Sequence, residues 1–277
     1  MSDLLGYRDQ AVVVTGAASG MGAAAAQLLV DLGAKVYALD IAEVAVPVAA
    51  AIRTDMKDQA SIDAAVSQLP GEIYALFNCA GVPSPPWSAA DTVLINFSGL
   101  RYLTESLLPR LGEGGAIASI ASTAGMAWRP KLGVVNEFLA LENSLEQAVA
   151  WLAENAEKAA DGYGFSKQCI IVYTMSMAAE LAQKNIRINC ISPSPTASGF
   201  MDMLKGEGQV PDEAVDLFLP PNGRYASGGD MGEPLVLLNS KLNGFVSGVN
   251  LPVDFGYCAQ LYAGQRDDLL GITQSGD

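Results

Sequence analysis

Tyr163 and Lys167 stand four residues apart in the run Tyr163-Gly-Phe-Ser-Lys167. On a helix this spacing puts both side chains on one face. An ammonium beside a phenol favours the phenolate and lowers a pKa that ordinarily lies near ~10. Such a phenol can exchange a proton with an alcohol or a carbonyl near neutral pH. Ser122 ends the apolar run Ala116-Ile-Ala-Ser-Ile-Ala121, where its hydroxyl can hydrogen-bond a substrate oxygen as charge develops there. A second constellation is Thr15-Gly16-Ala17-Ala18-Ser19-Gly20-Met21-Gly22, between an apolar run and an Ala/Leu-rich segment. Glycines at this spacing permit a tight turn, close approach of backbone to a pyrophosphate, and close helix-on-strand packing, while a helix N-terminus offers free N–H groups to phosphates. Asp40 lies 18 residues beyond Gly22 at the end of a second apolar run. Its carboxylate can accept hydrogen bonds from ribose hydroxyls and would repel a 2′-phosphate. No Lys or Arg lies beside it, so NAD(H) is predicted over NADP(H).

Repeated strand and helix patterns must position these groups. Buried strands are predicted over 11–15, 35–40, 73–78, 116–122 and 186–192, and helices over 21–32, 61–69, 92–111 and 163–184. The alternation predicts an α/β chain: a Rossmann-type doubly wound parallel sheet in a single domain, 1–277, with its site at the carboxyl ends of the strands. Two segments break the rhythm. Residues 126–160 read as a helical insertion before the catalytic helix. Phe138, Leu141, Leu145, Ala148, Val149, Leu152 and Ala156 form its apolar face, Glu137, Glu142, Glu146, Glu154 and Glu157 its polar one, and Ser144 with Gln147 a capping box. Residues 196–225 read as a Gly/Pro-punctuated loop, expected to act as a substrate lid, and 258–277 as a C-terminal tail.

Composition removes rival chemistries. The chain has 277 residues, half of them hydrophobic and 17% charged, as a globular protein requires. It contains no histidine, which excludes Ser-His-Asp and Cys-His nucleophile systems, His-ligated metal sites and imidazole proton shuttles. No metal site is expected. The net charge of -14 opposes binding to nucleic acid or to anionic membrane. The four cysteines lack CxxC spacing and no secretory leader is read, so reduced thiols in a cytoplasmic protein are expected. The uncharged stretch from Ala11 to Val30 is interrupted by Thr15, Gly16, Ser19, Gly20 and Gly22, so no membrane span is predicted there.

Taken together, these motifs resemble the short-chain dehydrogenase/reductase family over roughly Arg8 to Gly256. The TGxxxGxG spacing is that family's short form, and Tyr163-Gly-Phe-Ser-Lys167 is its YxxxK signature. The resemblance implies a catalytic tetrad of Asn96, Ser122, Tyr163 and Lys167. In it Lys167 also holds the nicotinamide ribose, and Asn96 holds a water that extends the proton relay. It further implies that Asp55, with Met56, contacts the adenine. Asn78-Cys79-Ala80-Gly81 resembles the family's NNAG element, with Cys in place of one Asn, and brings Asn78, Ala80 and Gly81 to the cofactor. Asn189-Cys-Ile-Ser-Pro193-Ser194-Pro195-Thr196 resembles the segment beside the nicotinamide, with Ser194 in place of Gly, and adds Pro193 and Thr196. The implied cofactor contacts are completed by Gly16, Ser19, Gly20, Met21, Gly22 and Asp40. Val253-Asp254-Phe255-Gly256 resembles the closing VDGG, with Phe255 in place of Gly.

Ser122 and Tyr163 are 41 residues apart, much farther than in most members. This insertion resembles the subgroup of 3α-hydroxysteroid dehydrogenase/carbonyl reductase and coniferyl-alcohol dehydrogenase. The resemblance implies reversible oxidation of an alcohol to a carbonyl and a homo-oligomer, dimer or tetramer. Pro83, Pro85, Pro86, Trp87, Met126, Trp128, Phe200, Met201, Met203, Leu204 and Phe218 are expected near the pocket mouth. Such side chains suit a bulky apolar ring-containing alcohol or ketone. An NAD-binding lyase or epimerase, or a non-catalytic dinucleotide-binding protein, would use the same fold. The first more often carries the extended motif, and the second would be expected to lack Tyr163 or Lys167.

Overall fold

The computed structural model describes residues 3–206, 211 and 215–274. Short apolar runs form the strands β1 (Ala11–Thr15), β2 (Lys35–Asp40), β3 (Ala50–Arg53), β4 (Ile73–Asn78), β5 (Leu111–Ile120), β6 (Arg187–Pro193) and β7 (Asn250–Val253). They build one sheet in the order β3-β2-β1-β4-β5-β6-β7, with every pairing parallel. The order reverses at β1 and β4, which opens a crevice at their carboxyl ends. Strand periodicity divides the core in two. Val13 faces one apolar cluster, and its neighbours Val12 and Val14 face the other.

Helix α1 (Gly20–Asp31) lies on the Val12 and Val14 face, packed against α9 (Gly228–Asn239). Contact is close because a Cβ at Gly232 would meet Ala25 N at 2.9 Å, and one at Gly228 would meet Gly20 O at 2.8 Å. The opposite face carries α2 (Gln59–Gln68), the short α3 (Ala89–Val93), α4 (Gly99–Leu107) and the long α7 (Gly162–Ala182). Between α3 and α4 one turn, Leu94–Ser98, widens to a π-helix with Asn96 at its centre. Such turns recur at functional sites. The continuous helix expected over 92–111 is therefore four pieces, α3, the π-turn, α4 and a 3-10 turn at Leu108–Arg110, and Leu111 already opens β5.

The insertion forms α5 (Leu132–Leu139) and α6 (Leu145–Glu154) and docks on α7 through aromatic rings. Phe138 lies 4.8 Å from Trp151 and 5.6 Å from Phe165 between ring centroids, and Trp151 stacks on Phe165 at 6.0 Å. Phe97 joins from the π-turn at 5.9 Å. Trp151 occupies the core position expected of Val149. Val149 and Ala156 face solvent, because the register that buries Trp151 and Leu152 turns them outward. The capping box at Ser144 is half made. Its hydroxyl accepts from Gln147 N, but the Gln147 amide donates to Glu142 instead of returning to the cap.

The expected loop over 196–225 contains α8 (Gly199–Lys205), a correction to the reading of that segment as loop; residues 207–210 and 212–214 lie outside the described part. After α9 and β7 the chain ends in α10 (Tyr257–Tyr262) and a tail. No helix among the described residues is long and apolar enough to cross a membrane. All four cysteines are free thiols, three of them buried.

Candidate active site

The glycine-rich turn connects β1 to α1 and lies against the end of β4. Gly16 (φ +66°) has room for no Cβ, which would sit 2.7 Å from Ala80 N, and a Cβ on Gly22 would sit 2.1 Å from Gly16 O. Gly20 also needs positive φ (+56°). Thr15 fastens this junction from below. Its Oγ1 accepts the N–H groups of Cys79 and Ala80, both at 3.0 Å. The cleft above is lined by Gly16, Ser19, Gly20, Met21, Gly22, Asp40, Asp55, Met56, Ala80 and Gly81, so ten of the predicted cofactor residues meet in one place. Asn78 does not line it. Its amide donates instead to Thr104 Oγ1 at 3.0 Å and Ser119 Oγ at 3.2 Å, behind the cleft, because β-alternation turns its side chain into the core.

Asp40 has a structural task besides the predicted one. Its Oδ2 accepts from Ala18 N at 2.8 Å and its Oδ1 from Ala42 N at 2.9 Å, which ties the glycine turn to β2. Trp87, Ile95 and Met203 also line the cleft. The Lys57 ammonium sits 5.5 Å over the Trp87 ring. Trp87 and Met203 are two of the residues expected at the pocket mouth, and Ile95 adjoins Asn96 in the chain.

Helix α7 presents Tyr163 and Lys167. Asp161 caps its first turn by accepting from Gly164 N at 3.0 Å. Gly162 lets the helix start directly on α3, where a Cβ would lie 2.4 Å from Ala89 Cα, and Gly125 lets the loop after Ser122 pack on the Lys167 backbone, where a Cβ would lie 2.7 Å from Lys167 C. Neither glycine stands out in the sequence. Tyr163 stands beside Ser122 on the same hollow, and Ser122 Oγ accepts from Ala124 N at 3.2 Å. The buried Lys167 Nζ donates to Ile120 O at 2.9 Å and sits 5.6 Å from the Tyr163 ring centroid.

These positions overturn the expected lowering of the phenol's pKa. Loss of hydration pushes Tyr163 up to about 12; the Ser122 hydroxyl opposes this and Asp161 adds to it. Burial likewise brings Lys167 down to about 8, partly countered by Cys79 and Cys190. Asn96 lies at Gly81 and Lys167, but its side chain is engaged elsewhere. Oδ1 accepts from Val82 N at 2.7 Å, and Nδ2 donates to Val82 O at 3.0 Å and Ser166 Oγ at 3.2 Å.

A second hollow of about 260 Å³ opens beside Ser122 and Tyr163. Phe200, Met201, Leu204 and Phe218 supply much of its wall, together with Val215 and Leu270, and among the described residues no charged side chain lines it. The Tyr163 and Phe200 rings are 5.5 Å apart. Pro193 and Thr196 line this hollow and not the dinucleotide cleft, while Met21, Ser198 and Phe200 line both. Of the remaining expected mouth residues, Trp87 and Met203 belong to the cleft. Met126 is buried with its sulfur 3.0 Å from the Asn250 amide, and Trp128 packs on the core.

Residues 10–134 match the family model described as short chain dehydrogenase, and residues 147–258 match that of Enoyl-(Acyl carrier protein) reductase. The coniferyl-alcohol dehydrogenase of Pseudomonas sp. (strain HR199) is 32% identical over 253 residues, 88% of this chain and 95% of that protein. The chain belongs to the short-chain dehydrogenase/reductase family. This short-chain dehydrogenase is also 26% identical to the 3-alpha-hydroxysteroid dehydrogenase/carbonyl reductase of Comamonas testosteroni, over 88% of this chain and 95% of that one. Its fold matches the 3-alpha-hydroxysteroid dehydrogenase of Pseudomonas sp. B-0831 complexed with NADH. The TM-score is 0.79 at 24% identity, over 91% of this chain and 98% of that one. It is therefore an oxidoreductase of a family that binds a nicotinamide cofactor, with a small-molecule substrate.

Proposed function

We propose that this short-chain dehydrogenase reversibly oxidises an alcohol on a bulky, apolar, ring-containing molecule, with NAD as cofactor. One observation carries the reading. Tyr163 and Ser122 together face a hollow that no charged side chain among the described residues lines, directly beside a cleft shaped for a dinucleotide. The cleft fits that group, since Gly16 and Gly22 leave no space for side chains, α1 points its N-terminus at it, and Asp40 suits a ribose diol better than a 2′-phosphate. When bound, NAD supplies the hydride acceptor. The relatives named above, a coniferyl-alcohol dehydrogenase and a hydroxysteroid dehydrogenase, support the substrate class.

The chain's own residues handle the proton. Ser122 and Tyr163 both hydrogen-bond the substrate oxygen, which orients it and stabilises the charge it gains. In oxidation the Tyr163 oxygen takes the alcohol proton, and in reduction it returns that proton to the carbonyl oxygen. With the phenol pushed up to about 12, its protonated form dominates at neutral pH. That form is ready for reduction, so oxidation depends on a path that withdraws the proton. Lys167 stands next in that path. Its ammonium is brought down to about 8 and is anchored at Ile120 O, and with cofactor bound it would also hold the nicotinamide ribose. Asn96 holds the Val82 main chain beside Lys167, so a relay water there would be held by main-chain atoms of the π-turn and by Nζ.

A homo-oligomer is part of the proposal, as the family resemblance implies. The deciding experiment presents NAD with a steroid alcohol, an aromatic alcohol and a terpenoid alcohol, and follows absorbance of the reduced nicotinamide. Turnover of at least one is expected. Binding of NAD without turnover of any of the three would overturn the assignment.

A further inference from the structure

The substrate hollow has one wall that comes from the far end of the chain. Leu270 lines it, although it follows α10 by eight residues and no sequence pattern marks it. The tail is held on both sides of this leucine. Ahead of it, Arg266 Nη1 donates to Leu219 O at 2.8 Å, and the guanidinium lies 4.6 Å over the Tyr257 ring. Behind it, Ile272 is buried in the main core at 1% exposure. The Asp268 carboxylate closes the turn between them, accepting from Ile272 N and Thr273 N, each at 2.8 Å, and from Thr273 Oγ1 at 2.7 Å.

Arg266 reaches a second wall residue as well. Leu219, whose carbonyl it holds, adjoins Phe218, and the Phe218 ring lies 6.3 Å from the Tyr257 ring beneath the guanidinium. Phe218 and Leu270 are thus two apolar walls of one hollow, and Arg266, which does not itself line it, ties the segment of Leu270 to that of Phe218.

We propose that Leu270 and Phe218, held by Arg266 as a positioning residue, set the size limit for the apolar part of the substrate. This rests on the reading of the protein as an oxidoreductase of apolar ring-containing alcohols. A fixed leucine admits a ligand that fills the hollow and turns away one that is a ring longer. Removing an apolar obstruction of that size changes discrimination by about tenfold or more. Because Arg266 ties the two walls together, losing the guanidinium relaxes the same limit in part, and its effect overlaps that of Leu270.

The test compares benzyl alcohol with biphenyl-4-methanol as a probe pair. Both kcat/KM and the dissociation constant from the NADH-loaded protein are measured, with thermal midpoints as a folding control. L270A is expected to raise the biphenyl-to-benzyl ratio about tenfold, through KM more than kcat, and L270W to lower it. R266A shifts the ratio in the L270A direction, R266K recovers part of the wild-type value, and R266A/L270A adds little to L270A. Ratios within twofold of wild type in L270A and L270W, at unchanged thermal midpoints, would overturn the proposal. If R266A loses the fold, the two Leu270 variants still decide it. If the wild type binds the pair without turnover, the oxidoreductase reading falls, and the ratio of dissociation constants still judges the wall. If it binds neither, both fall.

Discussion

The dinucleotide cleft and the substrate hollow touch at Met21, Ser198 and Phe200, yet they are built from different materials. Backbone makes the glycine-turn side of the cleft. Gly16 and Gly22 leave no space for a Cβ, Thr15 clasps two N–H groups, and Asp40 holds a third. Side chains make the hollow, drawn from α8, from the loop around Phe218 and from the tail at Leu270. A backbone surface tolerates almost no change, because a single added carbon collides with a carbonyl. A side-chain surface can be re-cut one residue at a time. One fold can therefore keep its cofactor while its substrate changes, and the difference can be tested from both sides.

Tyr163 lines the hollow and not the cleft, so its removal should affect chemistry alone. Tyr163→Phe is expected to lower kcat by about 10²–10⁴-fold, with the dissociation constant for NAD unchanged in a fluorescence titration. Comparable loss of NAD binding would show that the phenol belongs to the cleft. The next largest effect is at Gly22→Ala, whose Cβ would stand 2.1 Å from Gly16 O. NAD affinity should fall at least about tenfold by titration. Phe200→Ala, across the shared border, should instead change alcohol KM more than NAD affinity. Equal effects of the two on NAD would erase the contrast between backbone and side-chain surfaces.

Asp40→Arg tests the cleft's selectivity. The NADP-to-NAD ratio of kcat/KM should rise by one to two orders of magnitude. Total affinity should drop at the same time, because Ala18 N loses its acceptor. Asp40→Asn, which keeps an acceptor for Ala18 N, separates the two effects.

The smallest effect is on pH dependence. A phenol raised to about 12 is protonated through the neutral range, so alcohol oxidation should accelerate as pH rises from 7, by up to tenfold per unit, and flatten as Lys167 loses its proton near 8. Carbonyl reduction starts from the protonated phenol and should stay level up to about pH 8, then decline with the Lys167 charge. Parallel kcat/KM profiles in the two directions check this; identical profiles would contradict the assigned proton path.

Elements whose signal is local were legible in the sequence. Strands β1, β2 and β4 match their predicted bounds, since each is a short apolar run buried on both faces. Strand β3 escaped notice because it buries only Ile52. Helix α8 was hidden by the glycine and proline around it, which read as loop chemistry. The glycine turn, Asp40 and the Tyr163/Lys167 pair could be found because their geometry depends on neighbours in the chain. What could not be read depends on distant partners: the turning of Asn78 toward Thr104 and Ser119, the arrival of Leu270 in the hollow, and the burial that reverses the expected shift of Tyr163.

The aromatic seam under the insertion has an optical consequence. Trp151, 7% exposed, donates its indole N–H to Glu137 and stacks on Phe165, two residues from Tyr163. The other two tryptophans lie elsewhere, Trp87 in the cleft and Trp128 at the start of the insertion. A protein carrying Trp151 alone should emit at short wavelength while α5 and α6 stay docked, and shift to the red when they lift from α7. If that shift comes before the loss of far-ultraviolet dichroism on heating, the insertion opens as its own cooperative unit. The indole then gives a built-in readout of whether the catalytic helix keeps its cover during turnover.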